Sequence, residues 1–156
     1  MSAPRVGAKV RAFQAASTAG GDFSLAEARG KALVLYFYPK DMTSGCSVEA
    51  RDFRDLADRF RRAGALVVGV SRDPLRSHEK FRDKESLPFH LLSDPDEKLC
   101  RLFDVIREKS LYGRKFMGIE RSTFLIDGDG VLRREWRKVK VAGHAQEVLD
   151  AVRALG

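Results

Sequence analysis

Lys31-Ala-Leu-Val-Leu-Tyr-Phe-Tyr38, stopped by Pro39 and followed by Lys40-Asp-Met-Thr-Ser-Gly-Cys46, is the stretch from which the rest of the chain is ordered. Residues 32–38 are apolar without interruption and rich in aromatic and branched side chains, which predicts a strand buried on both faces. Proline cannot donate to a ladder, so the strand stops at Pro39. After the turn 40–45 the apolar positions change period. Val48, Phe53, Leu56, Ala57 and Phe60 form one helical stripe. Asp55/Arg59 and Asp58/Arg62 sit four apart on the wet side, and Gly64 closes the helix. A buried strand running into a helix that opens near a cysteine is the nucleus of the fold.

The pattern extends outward in both directions. Ala65-Leu-Val-Val-Gly-Val70 reads as a second buried strand, and Asp73-Pro74 starts a helix that runs to about Glu85. Phe89-His-Leu-Leu92 is a short strand. Asp94-Pro95 opens a third helix with Leu99, Leu102 and Phe103 inward. Residues 106–118, with Gly113, Gly118 and several basic residues, read as a long functional loop. Ser122-Thr-Phe-Leu-Ile126, the turn Asp127-Gly-Asp-Gly130 and the residues from Val131 onward form a hairpin. A last helix over 145–155 buries Val148, Leu149, Val152 and Leu155. The first thirty residues, rich in Ala, Gly and Ser, form a short irregular N-terminal extension with extended pieces around Val10 and Phe13. The order β-α-β-α-β-α-β-β-α predicts one α/β domain over 1–156, a central mixed β-sheet flanked by helices in the thioredoxin-like arrangement.

Composition narrows the function classes. At 156 residues the chain is long enough for one real core, and 44% hydrophobic with 33% charged residues is the balance of a globular domain. A seven-residue apolar run is far short of a membrane span. No apolar leader follows Met1, so the expected compartment is cytoplasmic, with both cysteines reduced. The net charge of +7 raises the question of nucleic acid. Acids interleave with most of the basic residues, and the acid-poor run Arg133-Arg134-Glu135-Trp136-Arg137-Lys138-Val139-Lys140 reads as a solvated strand face with no nucleic-acid motif beside it.

Cys46 is the most informative residue. It falls on the first turn of a helix that follows a central strand. Unpaired N–H groups and the positive end of the helix dipole favour an anion there. Thiols so placed commonly titrate at roughly 3.5–7.5 instead of about 8.5. The plain alternative is a core cysteine packing on the sheet. His78, His90 and His144 show no ligand spacing and read as structural or solvated. Asp127-Gly-Asp129-Gly130 lacks the remaining ligands of a calcium loop and reads as a turn. No cofactor and no metal are expected.

Pro39-Lys40-Asp41-Met42-Thr43-Ser44-Gly45-Cys46 contains Pro-x-x-x-Thr-x-x-Cys, and here the chain resembles the peroxiredoxins. Leu35-Tyr-Phe-Tyr-Pro-Lys40, Leu91-Leu-Ser-Asp94 and Gly118-Ile-Glu-Arg-Ser-Thr-Phe-Leu-Ile-Asp127 extend the likeness in register along nearly the whole chain, toward the Q subfamily, also called bacterioferritin-comigratory proteins. The resemblance implies a thiol-dependent peroxidase acting on hydrogen peroxide and organic hydroperoxides. Cys46 would be the peroxidatic nucleophile that becomes sulfenic acid. Thr43 would hold the peroxide while bonding the sulfur, and Arg121 would stabilise charge on sulfur and oxygens. Pro39 would shield the pocket, and Glu49 would orient Arg121, a surface glutamate being the other reading. Such a set, a stabilised thiolate with donors aimed at developing charge, is what the chemistry needs.

The chain departs from the family where resolving cysteines stand. Those positions hold Arg51 and Arg82, and Val105-Ile106-Arg107 replaces a usual tryptophan. Cys100, flanking the apolar arc of its helix at about 100° per residue, is expected to be structural. The cycle then needs an external thiol reductant, from thioredoxin, glutaredoxin or a small thiol, and the enzyme is expected to act as a monomer with no membrane or specific nucleic-acid partner. The alternatives are a two-cysteine cycle through Cys100 and a non-catalytic thioredoxin-like binding module. A Cys-x-x-Cys oxidoreductase is disfavoured because Glu stands at position 49.

Overall fold

The structure is a computed structural model that describes residues 3–155. Met1, Ser2 and Gly156 of the expected 1–156 domain lie outside the described residues. Its centre is the predicted strand, β3 (Ala32–Phe37), with Tyr38 continuing the ladder through its N–H to the Val70 carbonyl at 3.0 Å. β3 pairs in parallel with β4 (Ala65–Ser71) and antiparallel with β8 (Ser122–Ile126). β5 (His90–Ser93) extends the sheet beyond β4, and β9 (Leu132–Trp136) beyond β8. β1 (Gln14–Ser17) and β2 (Asp22–Ser24) complete seven strands in the order β2-β1-β5-β4-β3-β8-β9. The mixed sheet flanked by helices is the α/β, thioredoxin-like arrangement expected from the alternation.

Strand periodicity divides the core in two. Val34, Tyr36 and Tyr38 face one side, where they meet α1 (Ser44–Asp55), α2 (Ala57–Arg62), α3 (Leu75–Glu85) and α5 (His144–Arg153) through Ala50, Phe53, Phe60, Phe81, Val148 and Leu149. Leu33, Leu35 and Phe37 face the other side, packed with Phe23, Phe103 and Phe124 and with α4 (Lys98–Leu102). Tyr36 stacks on Phe53 at 4.7 Å on the first face, and Phe103 meets Phe124 at 4.7 Å on the second. Aromatic contacts of this kind contribute about 0.5–1.5 kcal/mol beyond their buried area.

Four sequence expectations need correction. The predicted loop over 106–118 is a two-stranded antiparallel ribbon, β6 (Ile106–Leu111) and β7 (Arg114–Ile119), turning at Tyr112 and Gly113. Its exposure hides the alternation that marks a half-buried strand, because both faces are largely wet. The single helix expected up to Gly64 is broken at Leu56, which separates α1 from α2 and keeps Phe53 and Phe60 on one core face. The N-terminal extension forms strands at 14–17 and 22–24, later than the extended pieces expected around Val10 and Phe13; Val10 is buried on the second face. The last helix runs His144–Arg153, against an expected 145–155.

The basic run from Arg133 is tied into the fold. Arg133 pairs with Asp127 at 3.2 Å, Arg134 with Glu147 at 3.2 Å, and Arg137 donates to the carbonyls of Phe103 and Asp104. No helix among the described residues is long and apolar enough to cross a membrane.

His144 opens α5 with its Nε2 2.8 Å from Thr123 Oγ1 and its ring edge-on to Trp136. Burial pushes its imidazole down from 6.5 to about 4. The unfolded chain therefore binds a proton there at pH values where the folded chain does not. Stability is full above about pH 6.5 and falls as pH drops toward 4, by on the order of 2–3 kcal/mol from this group. Denaturant melts of His144→Gln should show a flatter slope between those limits than the parent protein.

Candidate active site

The segment joining β3 to α1 is held from below by buried polar groups. Asp41 accepts from Tyr38 Oη at 2.6 Å and from Ser77 Oγ at 2.7 Å, and it lies 2.7 Å from His78 Nδ1. His78 Nε2 meets the Leu92 carbonyl at 2.8 Å, and the Asp41 N–H donates to Asp73 at 2.9 Å. Asp41, Asp73 and His78 thus gather ligand-type atoms within 4.8 Å, but those atoms are already bonded to one another and to their neighbours. The cluster pins the turn to β4, α3 and β5. Of the structural and solvated readings of His78, this buried bond supports the structural one; no local pattern marks Asp41 as its partner 37 residues away.

Above that anchor, Met42 adopts a left-handed conformation (φ 64°) and sends the chain into an extended Thr43, the residue that caps α1. Ser44, Gly45 and Cys46 fill the first turn, so Cys46 stands at the positive end of α1, and it is 1% exposed. That end carries unpaired N–H groups and favours negative charge.

Arg121 arrives from the junction of β7 and β8. Its neighbours are fixed by backbone bonds: Glu120 N–H to the Val105 carbonyl at 2.7 Å, and Val139 N–H to the Arg121 carbonyl at 3.0 Å. The guanidinium donates through Nη2 to Cys46 Sγ at 3.3 Å and through Nη1 to Glu49 Oε1 at 2.6 Å. Cys46 and Glu49 lie three apart on α1, one turn of one face, so a single planar fork reaches both. Burial alone would weaken the guanidinium's charge, yet Glu49 and the Cys46 sulfur raise its pKa above the usual arginine value. Burial pushes the Glu49 carboxyl up to about 7, with Arg121 pulling the other way.

Thr43 and Pro39 complete the inventory. Thr43 is exposed, and Pro39 is half-buried at the end of β3. The expected bond from the Thr43 hydroxyl to the sulfur is not the one formed: Thr43 Oγ1 donates to the Lys40 carbonyl at 2.9 Å. The left-handed Met42 lies between the two, and a backbone carbonyl three residues earlier is a usual competitor for a threonine hydroxyl.

Cys100 stands apart from this group. It is fully buried on the opposite face of the sheet, in the cluster of Phe37, Phe103 and Phe124, whereas Cys46 belongs to the cluster of Tyr36 and Phe53. Its backbone N–H donates to Asp94 at 2.7 Å, and burial, then the Asp94 charge, pushes its thiol well above the ordinary cysteine value. A thiol of that kind is a poor nucleophile. Arg51 and Arg82, at the two positions singled out on the sequence, make structural bonds. Arg51 pairs with Glu85 at 2.7 Å, joining α1 to α3, and Arg82 donates to the Phe89 carbonyl at 2.9 Å.

One contributor escaped the sequence reading. A methyl group at Gly45 would lie 3.3 Å from Arg121 Nη2, so a side chain there would crowd the guanidinium that meets the sulfur. The only local signal is a glycine in a helix first turn, where better helix formers cost less.

Comparison with known proteins places this geometry. The AhpC/TSA family model matches residues 6–135. The peroxiredoxin Bcp of Xanthomonas campestris pv. campestris is 55% identical over 125 residues, covering 80% of this chain and 78% of that protein. The peroxiredoxin Bcp of Bacillus subtilis is 47% identical over 148 residues, covering 95% and 94%. Among solved structures, a PrxQ mutant of Xylella fastidiosa superposes with a TM-score of 0.93 at 41% identity, covering 99% of each chain. The bacterioferritin comigratory protein of Xanthomonas campestris, solved as trapped intermediate and ligand complexes bearing on its alkyl peroxide reduction, gives 0.87 at 49% identity, covering 92% of this chain and 91% of that one.

Substituting Gly45→Ala should push the guanidinium back by a few tenths of an ångström without disturbing the core. The expected result is peroxide consumption slowed about tenfold, as for a partly misplaced donor, with a melting temperature close to that of the parent. Stopped-flow peroxide kinetics beside a thermal melt would check it.

Proposed function

Because the chain belongs to the AhpC/TSA family as a peroxiredoxin of the Q or bacterioferritin-comigratory type, and is a thiol-dependent peroxidase, we propose that Cys46 is its peroxidatic thiol and that it works without a resolving cysteine of its own. The observation that carries the assignment is the 3.3 Å contact between Arg121 and Cys46 Sγ at the N-terminus of α1. The thiolate attacks the distal peroxide oxygen. An S–O bond forms as the O–O bond breaks, sulfur is oxidised by two electrons to sulfenic acid, and the leaving oxygen departs as water or an alcohol after taking up a proton. Arg121 balances the negative charge on sulfur before attack and on the oxygens during it. Glu49 is a positioning residue that acts through Arg121, and Pro39 covers the pocket beside the strand end. Thr43, at the helix cap, takes the role of orienting the peroxide once its hydroxyl leaves the Lys40 carbonyl.

An external thiol then attacks the sulfenic acid, releasing water and leaving a mixed disulfide. A second thiol reduces that disulfide and restores Cys46. The opposite-face placement of Cys100, its burial and its raised thiol pKa support this one-cysteine cycle over an internal disulfide. A disulfide needs Cα atoms roughly 4.4–6.8 Å apart, and the sheet stands between the two clusters. Lacking an internal partner, the Cys46 sulfenate is more open to further oxidation. Substrates are hydrogen peroxide and organic hydroperoxides; the reductant is thioredoxin, glutaredoxin or a small thiol. Two unpaired buried cysteines fit a reducing cytoplasm, and the chain acts as a monomer.

Two measurements test the proposal. Arg121→Ala should slow peroxide reduction by about 10²–10³-fold, the usual loss of an oxyanion donor, and should lower stability far less. Non-reducing peptide mapping after one equivalent of peroxide should find a trappable sulfenic acid on Cys46 beside a free Cys100. A dominant Cys46–Cys100 cross-link would overturn the one-cysteine cycle.

A further inference from the structure

The β6–β7 ribbon brings a second cation toward the site. Lys109 pairs across the ribbon with Phe116, and its side chain reaches on past that partner's register position. Its Cδ and Cε lie over Gly118, where a methyl group would come within 3.2 and 3.4 Å of them. The stem therefore runs along β7 in the direction of Arg121, three residues beyond Gly118. The glycine provides the track: any side chain there would lift the lysine away. The Phe116 ring borders the same track, 3.4 Å from that methyl position.

The charge of Lys109 is poorly compensated. It is half-buried, and among the described residues no carboxylate lies within ion-pair distance of its ammonium. Two nearby acids have other partners: Glu108 on the ribbon pairs with Lys115 at 3.7 Å, and Asp104 just before it with Arg107 at 2.9 Å. Burial, then the charge of Arg121, pushes the Lys109 ammonium below the usual lysine value, with Arg72 adding to the effect; Cys46 and Glu120 oppose it only in part. A cation disfavoured by its surroundings gains when an anion joins it. Phe116, across the ribbon, is 45% exposed and its neighbour Met117 54%, so apolar surface lies beside the lysine.

We propose that Lys109 is a specificity-determining residue of the peroxidase: its ammonium recognises a carboxylate on the incoming hydroperoxide, so that hydroperoxides carrying such a group are reduced faster than neutral ones of similar size. The inference rests on Cys46 as the peroxidatic thiol, because the carboxylate and the reacting oxygens must be held by one site. Arg121 serves every peroxide alike at the O–O bond. Lys109 touches only the part of the substrate that varies, which is where discrimination is gained without cost to the common chemistry.

The test compares second-order rate constants for a carboxylate-bearing alkyl hydroperoxide and for tert-butyl hydroperoxide at low ionic strength. Beside them run Cys46 alkylation rates with anionic iodoacetate and neutral iodoacetamide, which read the local potential without any peroxide chemistry. In Lys109→Gln the anionic-to-neutral ratio should fall about two- to fivefold in both assays, the size of one partly exposed charge pair. Lys109→Arg should keep the ratio. Gly118→Ala, which displaces the lysine and leaves its charge, should lower it. Lys84→Gln, an exposed charge at the end of α3, should leave it as in the parent. Added salt should erase the preference. An unchanged ratio in Lys109→Gln overturns the inference while the peroxidase reading stands. A parent protein that consumes neither peroxide overturns the reading of Cys46 and this inference with it.

Discussion

Arg121 makes two bonds that the remainder of the site is arranged around, one to Cys46 and one to Glu49. A guanidinium 15% exposed cannot rely on water to stabilise it, so its partners must. Glu49 supplies one acceptor within the protein, and the sulfur takes the other position. Each of the two partners on α1 is placed by the helix repeat, and the arginine is placed by the β7–β8 junction and its backbone bonds to Val105 and Val139. The site is thus stiff on both sides. An orienting charge is useful to catalysis only if it needs no rearrangement when the reaction charge appears.

The sheet does a second job by separation. Because β3 alternates its side chains, Tyr36 and Phe37 belong to different cores, and so do the two cysteines packed against them. Cys46 sits at a helix end that favours an anion; Cys100 sits among phenylalanines beside the Asp94 carboxylate, where an anion is penalised. Two thiols of one chain therefore stand in opposite surroundings without any difference in the residue itself. The same barrier keeps Cys100 apart from Cys46. Arg51, in place of a cysteine on α1, ties that helix to Glu85 on α3 and adds to its fixed position.

Under the site, the Asp41 network is buried polar structure with its bonds satisfied from three elements. Networks of this kind are costly when incomplete and specific when complete. Here the specificity is spent on one turn. Asp41 is bonded below and Met42 takes the left-handed conformation above, so the short path from Pro39 to Thr43 has little freedom in where it delivers the start of α1.

Much of this was legible in the order of residues. The apolar run 32–38, the proline stop and the stripe through Phe53 and Phe60 are local patterns, and local patterns are what a helix or strand repeat imposes on a sequence. They located β3, the start of α1 with Cys46 near it, and the hairpin after Ser122. The Pro-x-x-x-Thr-x-x-Cys spacing and the blocks in register with it pointed to the chemistry. Where a strand faces water on both sides, as in 106–118, its alternation carries no apolar signal, and the ribbon was read as a loop. The break at Leu56 answers to which face Phe60 must reach, a demand made by the sheet and not by the helix. Arg121 and Cys46 stand 75 residues apart, and the resemblance alone linked them. Their 3.3 Å approach, the room that Gly45 leaves for it, the diversion of the Thr43 hydroxyl to Lys40, the sheet between Cys46 and Cys100, and the course of Lys109 over Gly118 were decided only by the tertiary structure. Periodicity records which face of its own element a side chain occupies. Which distant side chain it meets depends on how the elements pack, and packing is a property of the assembled core.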